Sequence, residues 1–305
     1  MGHSDVAASK GNNNKFMDYL QLTKPSLNIM VVFSSVIAYL LAPEVVEYNW
    51  TMIMLLFLGG FLITGSANAM NMALEKDTDA VMKRTANRPV AAGRMSVEEA
   101  WIFAAITGAI GVFILGYFFN WLSAGMGAFS LFLYAFVYTP LKKVNAIAVL
   151  VGAFPGALPC LIGWAAGNDA IFESGNGWKD YGGWALFGIQ FLWQFPHFWA
   201  IAWIAHGDYS RAGFKLLPAE KGPTKFTALQ TIVYALLLIP FTLVPFLVEL
   251  TGRYSLIVVM LANLFLIWQC IRLYQQMDTK AARRVMFSSY IYLPVVLLAL
   301  LADKL

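Results

Sequence analysis

Charge is what this sequence has least of. Only 12% of its 305 residues are Asp, Glu, Lys or Arg, against roughly 25% in an ordinary soluble domain. With 59% hydrophobic residues and a mean hydropathy of +0.64, the chain cannot cover a globule with polar groups, which excludes a soluble globular enzyme. Cysteine is nearly absent. Cys160 and Cys270, the only two, lie inside apolar runs; they exclude a disulfide scaffold and read as buried free thiols. The counts of 24 Gly and 12 Pro are ordinary and exclude collagen-like or low-complexity chains. The first residues lack the apolar stretch of a signal peptide, so no cleaved leader is expected. A net charge of +4 is small, and no nucleic-acid partner is expected.

Long apolar runs stand in place of charge. A hydrocarbon core about 30 Å thick takes about 20 apolar residues of helix. Nine segments qualify, near 26–43, 51–70, 97–118, 122–140, 146–166, 183–205, 226–248, 254–273 and 286–302, the third and fourth joined in a tight hairpin at Asn120. The fold expected is all-α: a polytopic membrane protein whose residues 21–305 form a single domain of nine transmembrane helices, preceded by a polar, disordered cytoplasmic tail over 1–20. Under this assignment, 18 of the 21 Lys and Arg lie on one side, and only Lys179, Arg253 and Lys304 on the other. The positive-inside rule then puts the N-terminus in the cytoplasm and the C-terminus outside. The longer charged loops, 71–96 and 206–225, are both inside, so a chemical site is expected on that face.

Three stretches carry polar chemistry. In the first, 67–94, Asn71, Glu75 and Asp79 recur every four residues, which on a helix makes one stripe about 80° wide. Asp77 falls off the stripe and is expected to face water or a basic neighbour. Two carboxylates and an amide oxygen are a hard donor set suited to Mg²⁺. Lys83, Arg84 and Arg88 follow at once, and guanidinium groups grip a diphosphate in a fork. A solvated, charge-mixed helix end is the other reading of this spacing.

In the second stretch, 190–218, Gln190, Gln194 and His197 can share one face of an aromatic span kinked at Pro196. His206, Asp208, Tyr209, Arg211 and Lys215 stand at its cytoplasmic end. A histidine in such a span also reads as a packed core residue, and Asp208 as a solvated loop charge. In the third, 134–164, Tyr134 and Tyr138 precede Lys142 and Lys143. These read as an interfacial aromatic–basic anchor or, alternatively, as lysines that pair with a phosphate.

At these residues the chain resembles the protoheme IX farnesyltransferases (heme O synthases), a branch of the UbiA-type intramembrane prenyltransferases. The likeness runs from LTKP (Leu22 to Pro25) to LLP (Leu216 to Pro218). NMALEKDTDAVMKRTANRP, YTPLKKVNAIAVLVGAFPGALP, QFPHFWAIAW and DYSRAG carry it most specifically. The resemblance implies a helical bundle around a central cavity open to the cytoplasmic side and the lipid of a bacterial inner membrane. It implies Mg²⁺-dependent transfer of a farnesyl group from farnesyl diphosphate to a vinyl group of heme b, giving heme O, with heme A synthase or terminal-oxidase assembly as downstream partners.

Asn71, Glu75 and Asp79 match the first metal–diphosphate motif of that family, and Asp208 the second. Arg84, Arg88, Lys142 and Lys143 match its basic residues, Lys83 and Arg211 are further diphosphate-binding candidates, and His197, Gln194 and Trp199 are candidates for the heme or acceptor site. Two positions depart from the pattern. Position 75 is Glu where Asp is common, and position 212 is Ala, so Asp208 lacks a paired carboxylate. A related prenyltransferase acting on an aromatic quinone precursor, and a non-catalytic transporter or assembly protein, are the alternatives.

Overall fold

The structure, a computed structural model, describes residues 14–219 and 222–305. Long apolar helices start where a side chain caps their free N–H groups. Asn49 accepts from Thr51 and Met52 at the head of α3 (Trp50–Leu74), Ser96 from Glu99 at α5 (Val97–Phe118), and Asn120 from Ser123 at α6 (Trp121–Phe132). The same device starts α11 (Lys225–Leu247) at Thr224 and α13 (Thr279–Ala302) at Asp278. The others are α1 (Lys15–Thr23), α2 (Pro25–Leu41), α4 (Lys76–Ala80), α7 (Thr139–Leu141), α8 (Ala148–Asn168), α9 (Gly182–Ile204), α10 (His206–Arg211) and α12 (Arg253–Gln276). A π-helical turn, Leu133–Tyr138, joins α6 to α7. Among the described residues there is no β-strand; one isolated bridge joins Thr251 to Lys304.

Successive long helices are neighbours: α2, α3, α5, α6, α8, α9, α11, α12 and α13 follow one another, and α13 returns to α2. Inside this circuit α2 packs along α8, and α9 along α13. The α2–α8 contact needs a bare backbone, because a Cβ on Gly163 would sit 1.8 Å from the Ser35 carbonyl oxygen. The C-terminus fastens the closure. Lys304 Nζ donates to the carbonyls of Leu40, Ala42 and Val45 at 2.7, 2.8 and 2.8 Å, satisfying the acceptors that the end of α2 leaves free.

Helices α1 and α2 meet at an angle of 43°. Pro25 biases the residue before it away from right-handed helix, and Lys24 turns left-handed (φ 47°, ψ 66°). The Thr23 carbonyl exposed by this break accepts from Asn68 Nδ2 at 3.2 Å. Residues 1–13 of the tail expected over 1–20 lie outside the described residues, while Lys15–Leu20 are helical. Partners from the loop before α5 and from α5 itself order them: Arg94 pairs with Asp18 at 2.8 Å, and Lys15 and Tyr19 both bind Glu99.

Among the described residues, seven helices are long and apolar enough to cross a membrane, α6 through α7 counting as one, and eight if the bent α1–α2 pair is also one span. This is a multi-pass membrane protein. The expectation was nine. The difference is α9, whose 23 residues carry no charge but whose Trp, Gln, His and Pro content keeps it out of that set.

Candidate active site

The stripe of oxygen donors survives a break in its helix. α3 ends at Leu74 and α4 begins at Lys76, yet Glu75 N donates to Asn71 O at 3.0 Å and Asp79 N to Glu75 O at 2.7 Å. Helical register therefore carries through. Asn71, Glu75 and Asp79 are 2%, 5% and 0% exposed, whereas Asp77 faces solvent as expected. The Thr85 hydroxyl donates to the Asp79 carbonyl at 2.9 Å and pins the turn.

Each donor is met by a cation from a different segment. Lys24, at the α1–α2 break, donates to Asn71 Oδ1 at 3.1 Å. Lys142, beyond α7, donates to Glu75 Oε1 at 2.8 Å. Arg88 lies in the loop after α4 and binds both Asp79 carboxylate oxygens, at 2.8 and 2.7 Å. Asn71 spends its amide on Thr139 Oγ1 at 3.2 Å, and Thr139 in turn donates to the Tyr134 carbonyl, inside the π turn. Such turns re-aim the helix that follows them, and this one brings Lys142 under the Tyr138 ring at 4.6 Å. Burial raises the Asp79 carboxyl above the usual aspartate range while Arg88 pulls the other way. Buried charges persist only when paired in this manner.

The second segment meets the first, but not through Asp208. Arg84 donates to the Tyr209 hydroxyl at 2.9 Å, Lys215 N donates to Lys142 O at 2.7 Å, and the Phe214 ring lies 5.7 Å from Lys142 Nζ. Asp208 pairs with Arg211 on its own helix α10. Among the described residues no three His, Cys, Asp or Glu side chains gather closely enough to hold one metal. The expected convergence of Asp208 with the first motif is therefore not formed: its nearest cation, three residues along the same turn, captures it. Lys83 and Lys143 are exposed.

The three acceptor-site candidates separate. Gln194 Nε2 donates to Ala153 O on α8 at 2.9 Å, lying against Gly156, where a Cβ would be 2.0 Å from Gln194 Oε1. His197 turns to α13, its Nδ1 2.8 Å from Ser289 Oγ and its ring stacked on Trp193. Trp199 packs on Phe195 and, edge-on, on Tyr234 of α11. The face that Gln194 and His197 were expected to share is split between two neighbouring helices, each offering its own polar partner.

A cavity of about 90 Å³ lies one turn of α3 before Asn71, lined mostly by apolar side chains of α2, α3, α5, α6 and α8. Val31, Val32, Ile63, Leu131 and Pro159 wall it, and Asn68 and Tyr134 are among its few polar residues, each within a turn or so of Asn71 or Thr139.

Sequence reasoning missed Lys24 and Thr139 as members of this centre. A lysine directly before the first apolar span was the available signal for Lys24.

Fold and site together define a multi-pass membrane bundle with a buried oxygen-and-cation centre one turn of α3 from an apolar cavity. Its class is that of a prenyltransferase: a profile of the UbiA prenyltransferase family matches residues 31–291, and the chain belongs to that family. Within it, the chain is similar to proteins named protoheme IX farnesyltransferase. That of Cytophaga hutchinsonii is 41% identical over 292 residues, 96% of this chain and 99% of the relative. That of Flavobacterium psychrophilum is 42% identical over 298 residues, 95% of each.

Among solved structures, a digeranylgeranylglyceryl phosphate synthase superposes with a TM-score of 0.77 at 19% identity, covering 95% of this chain and 98% of its own. A UbiA homolog from Archaeoglobus fulgidus bound to GPP and Mg²⁺ does so at 0.64 and 14%, covering 93% and 99%. These structures share the fold.

Proposed function

We propose that the protein transfers the farnesyl group of farnesyl diphosphate to a vinyl group of heme b, giving heme O. The observation that carries the reading is the buried stripe of Asn71, Glu75 and Asp79, faced by Lys24, Lys142 and Arg88, with an apolar cavity one turn of α3 away. The near full-length similarity to the farnesyltransferases selects heme b as acceptor over an aromatic quinone precursor.

The donor set fits Mg²⁺, since Asn71, Glu75 and Asp79 offer one amide and two carboxylate groups and no sulfur or imidazole. Asn71, Glu75 and Asp79 would hold it, and it would supply Lewis-acid neutralisation of the leaving diphosphate. Lys24, Lys142 and Arg88 bind the diphosphate oxygens and stabilise the charge that grows as the allylic C–O bond breaks. Lys83, Arg84, Lys143 and Arg211 are exposed, with Asp208 tied to Arg211.

The apolar cavity takes the farnesyl chain and keeps water from the allylic cation. The vinyl carbon forms the new C–C bond, water adds to the resulting cation at the former vinyl group, and its proton is released. α9 is the ninth span, the cavity opens toward the cytoplasm, and the N-terminus lies on that side of a bacterial inner membrane with the C-terminus outside. Heme A synthase or a terminal-oxidase assembly takes the product.

The test is product analysis by mass spectrometry of membranes given farnesyl diphosphate with either heme b or 4-hydroxybenzoate. Heme O from the first and nothing from the second is expected. A prenylated benzoate without heme O overturns the acceptor assignment, and no prenylated product from either overturns the enzyme assignment.

A further inference from the structure

The oxygen donors of the stripe are not open to a cation arriving alone. Lys142 Nζ occupies Glu75 at 2.8 Å, Arg88 covers both oxygens of Asp79, and Lys24 lies on Asn71 Oδ1. All three donors are nearly or fully buried, so water cannot replace a cation that leaves. Two carboxylates are already balanced by Lys142 and Arg88, with Lys24 beside them. A divalent cation entering alone would add two positive charges, in a place where charges interact several-fold more strongly than in water. A diphosphate ester brings negative charge enough to offset the divalent cation it arrives with.

Geometry allows the exchange. Lysine and arginine side chains pivot on flexible stems, and Lys24 and Lys142 each stand at a break or loop between helices rather than inside one. We propose that Lys24, Lys142 and Arg88 are positioning residues that hold Asn71, Glu75 and Asp79 in place and yield them only when a diphosphate arrives with the cation. The two ligands then enter together, and each displaced cation passes from a protein oxygen to a phosphate oxygen. This rests on the diphosphate site proposed above and adds the coupling between its two ligands.

Equilibrium dialysis of the full chain in lipid nanodiscs tests it, with ⁵⁴Mn²⁺ and ³²P-labelled inorganic pyrophosphate as probes and correction for the soluble manganese–pyrophosphate complex. For the wild type, saturating pyrophosphate is expected to tighten Mn²⁺ retention at least 100-fold, and Mn²⁺ to tighten pyrophosphate retention by the same factor, as linkage requires. In Lys142→Gln, with Glu75 released, Mn²⁺ alone is expected to bind at least 10-fold more tightly than to the wild type, and the coupling to shrink. Lys142→Arg, which keeps the charge, is expected to restore the coupling.

Wild-type protein that retains Mn²⁺ equally well with and without pyrophosphate overturns the coupling. If Glu75→Gln then abolishes that retention, the site itself stands. Failure to retain either probe, alone or together, overturns the diphosphate site and the coupling with it.

Discussion

Removing Lys142 while keeping Glu75 is the sharpest perturbation of the centre. Their side chains are 9% and 6% exposed and bonded at 2.8 Å. Breaking a buried pair from one side costs about 3–5 kcal/mol, because the remaining charge has neither partner nor water. Lys142→Met is therefore expected to destabilise the protein by about 3–5 kcal/mol at neutral pH.

Lys142→Met/Glu75→Gln removes both charges and is expected to recover most of the loss. Lys15→Met, at a pair 52% and 28% exposed, is expected to be almost silent. SDS titration of the protein in mixed micelles, followed by tryptophan fluorescence, reads all three. A single Lys142 variant as benign as Lys15→Met, or a double variant worse than the single, refutes the reasoning.

Asp79→Asn should lower heme O formation by two to three orders of magnitude, an effect of the size seen when one preorganised electrostatic group is lost. Size-exclusion chromatography should still show a folded protein; wild-type turnover would remove Asp79 from the chemistry. Burial raises the Asp79 carboxyl and Arg88 lowers it, so the acid limb of kcat/KM should lie above the free aspartate value. Arg88→Gln should move that limb of the residual activity to still higher pH, and an unmoved or lowered limb contradicts this origin. Gly163→Ala would place a methyl 1.8 Å from the Ser35 carbonyl oxygen and should cost about 1–3 kcal/mol or more by forcing α2 from α8. Gly125→Ala, which meets nothing within 4 Å, should be neutral or slightly stabilising in the same SDS titration.

Elements governed by local rules were legible in the sequence. Asn120 marked the hairpin between α5 and α6, and the four-residue spacing of Asn71, Glu75 and Asp79 described one face even across a helix break. Elements governed by partners from afar were not. Lys24 is 47 positions from Asn71 and Lys142 is 67 from Glu75; periodicity within a segment says nothing of which cation a distant segment delivers. Gln194 and His197 are close in helical angle, but α8 and α13 flank that face and each claims one of them. Asp208 failed to join the stripe because Arg211 is nearer in sequence and already in register to pair. α9 fell short as a span by hydropathy because its interior is aromatic and amide-bearing rather than aliphatic.

The most direct measurement of the centre is an experimental structure of the wild-type protein in nanodiscs with Mg²⁺ and a non-cleavable farnesyl thiodiphosphate. The expected density places the metal at about 2.1 Å from oxygens of the Asn71, Glu75 and Asp79 stripe. The diphosphate should lie against Lys24, Lys142 and Arg88, with the farnesyl chain in the cavity walled by Val31, Ile63 and Leu131. Metal and diphosphate bound at any other part of the molecule, with the three ion pairs of the stripe intact, would contradict it.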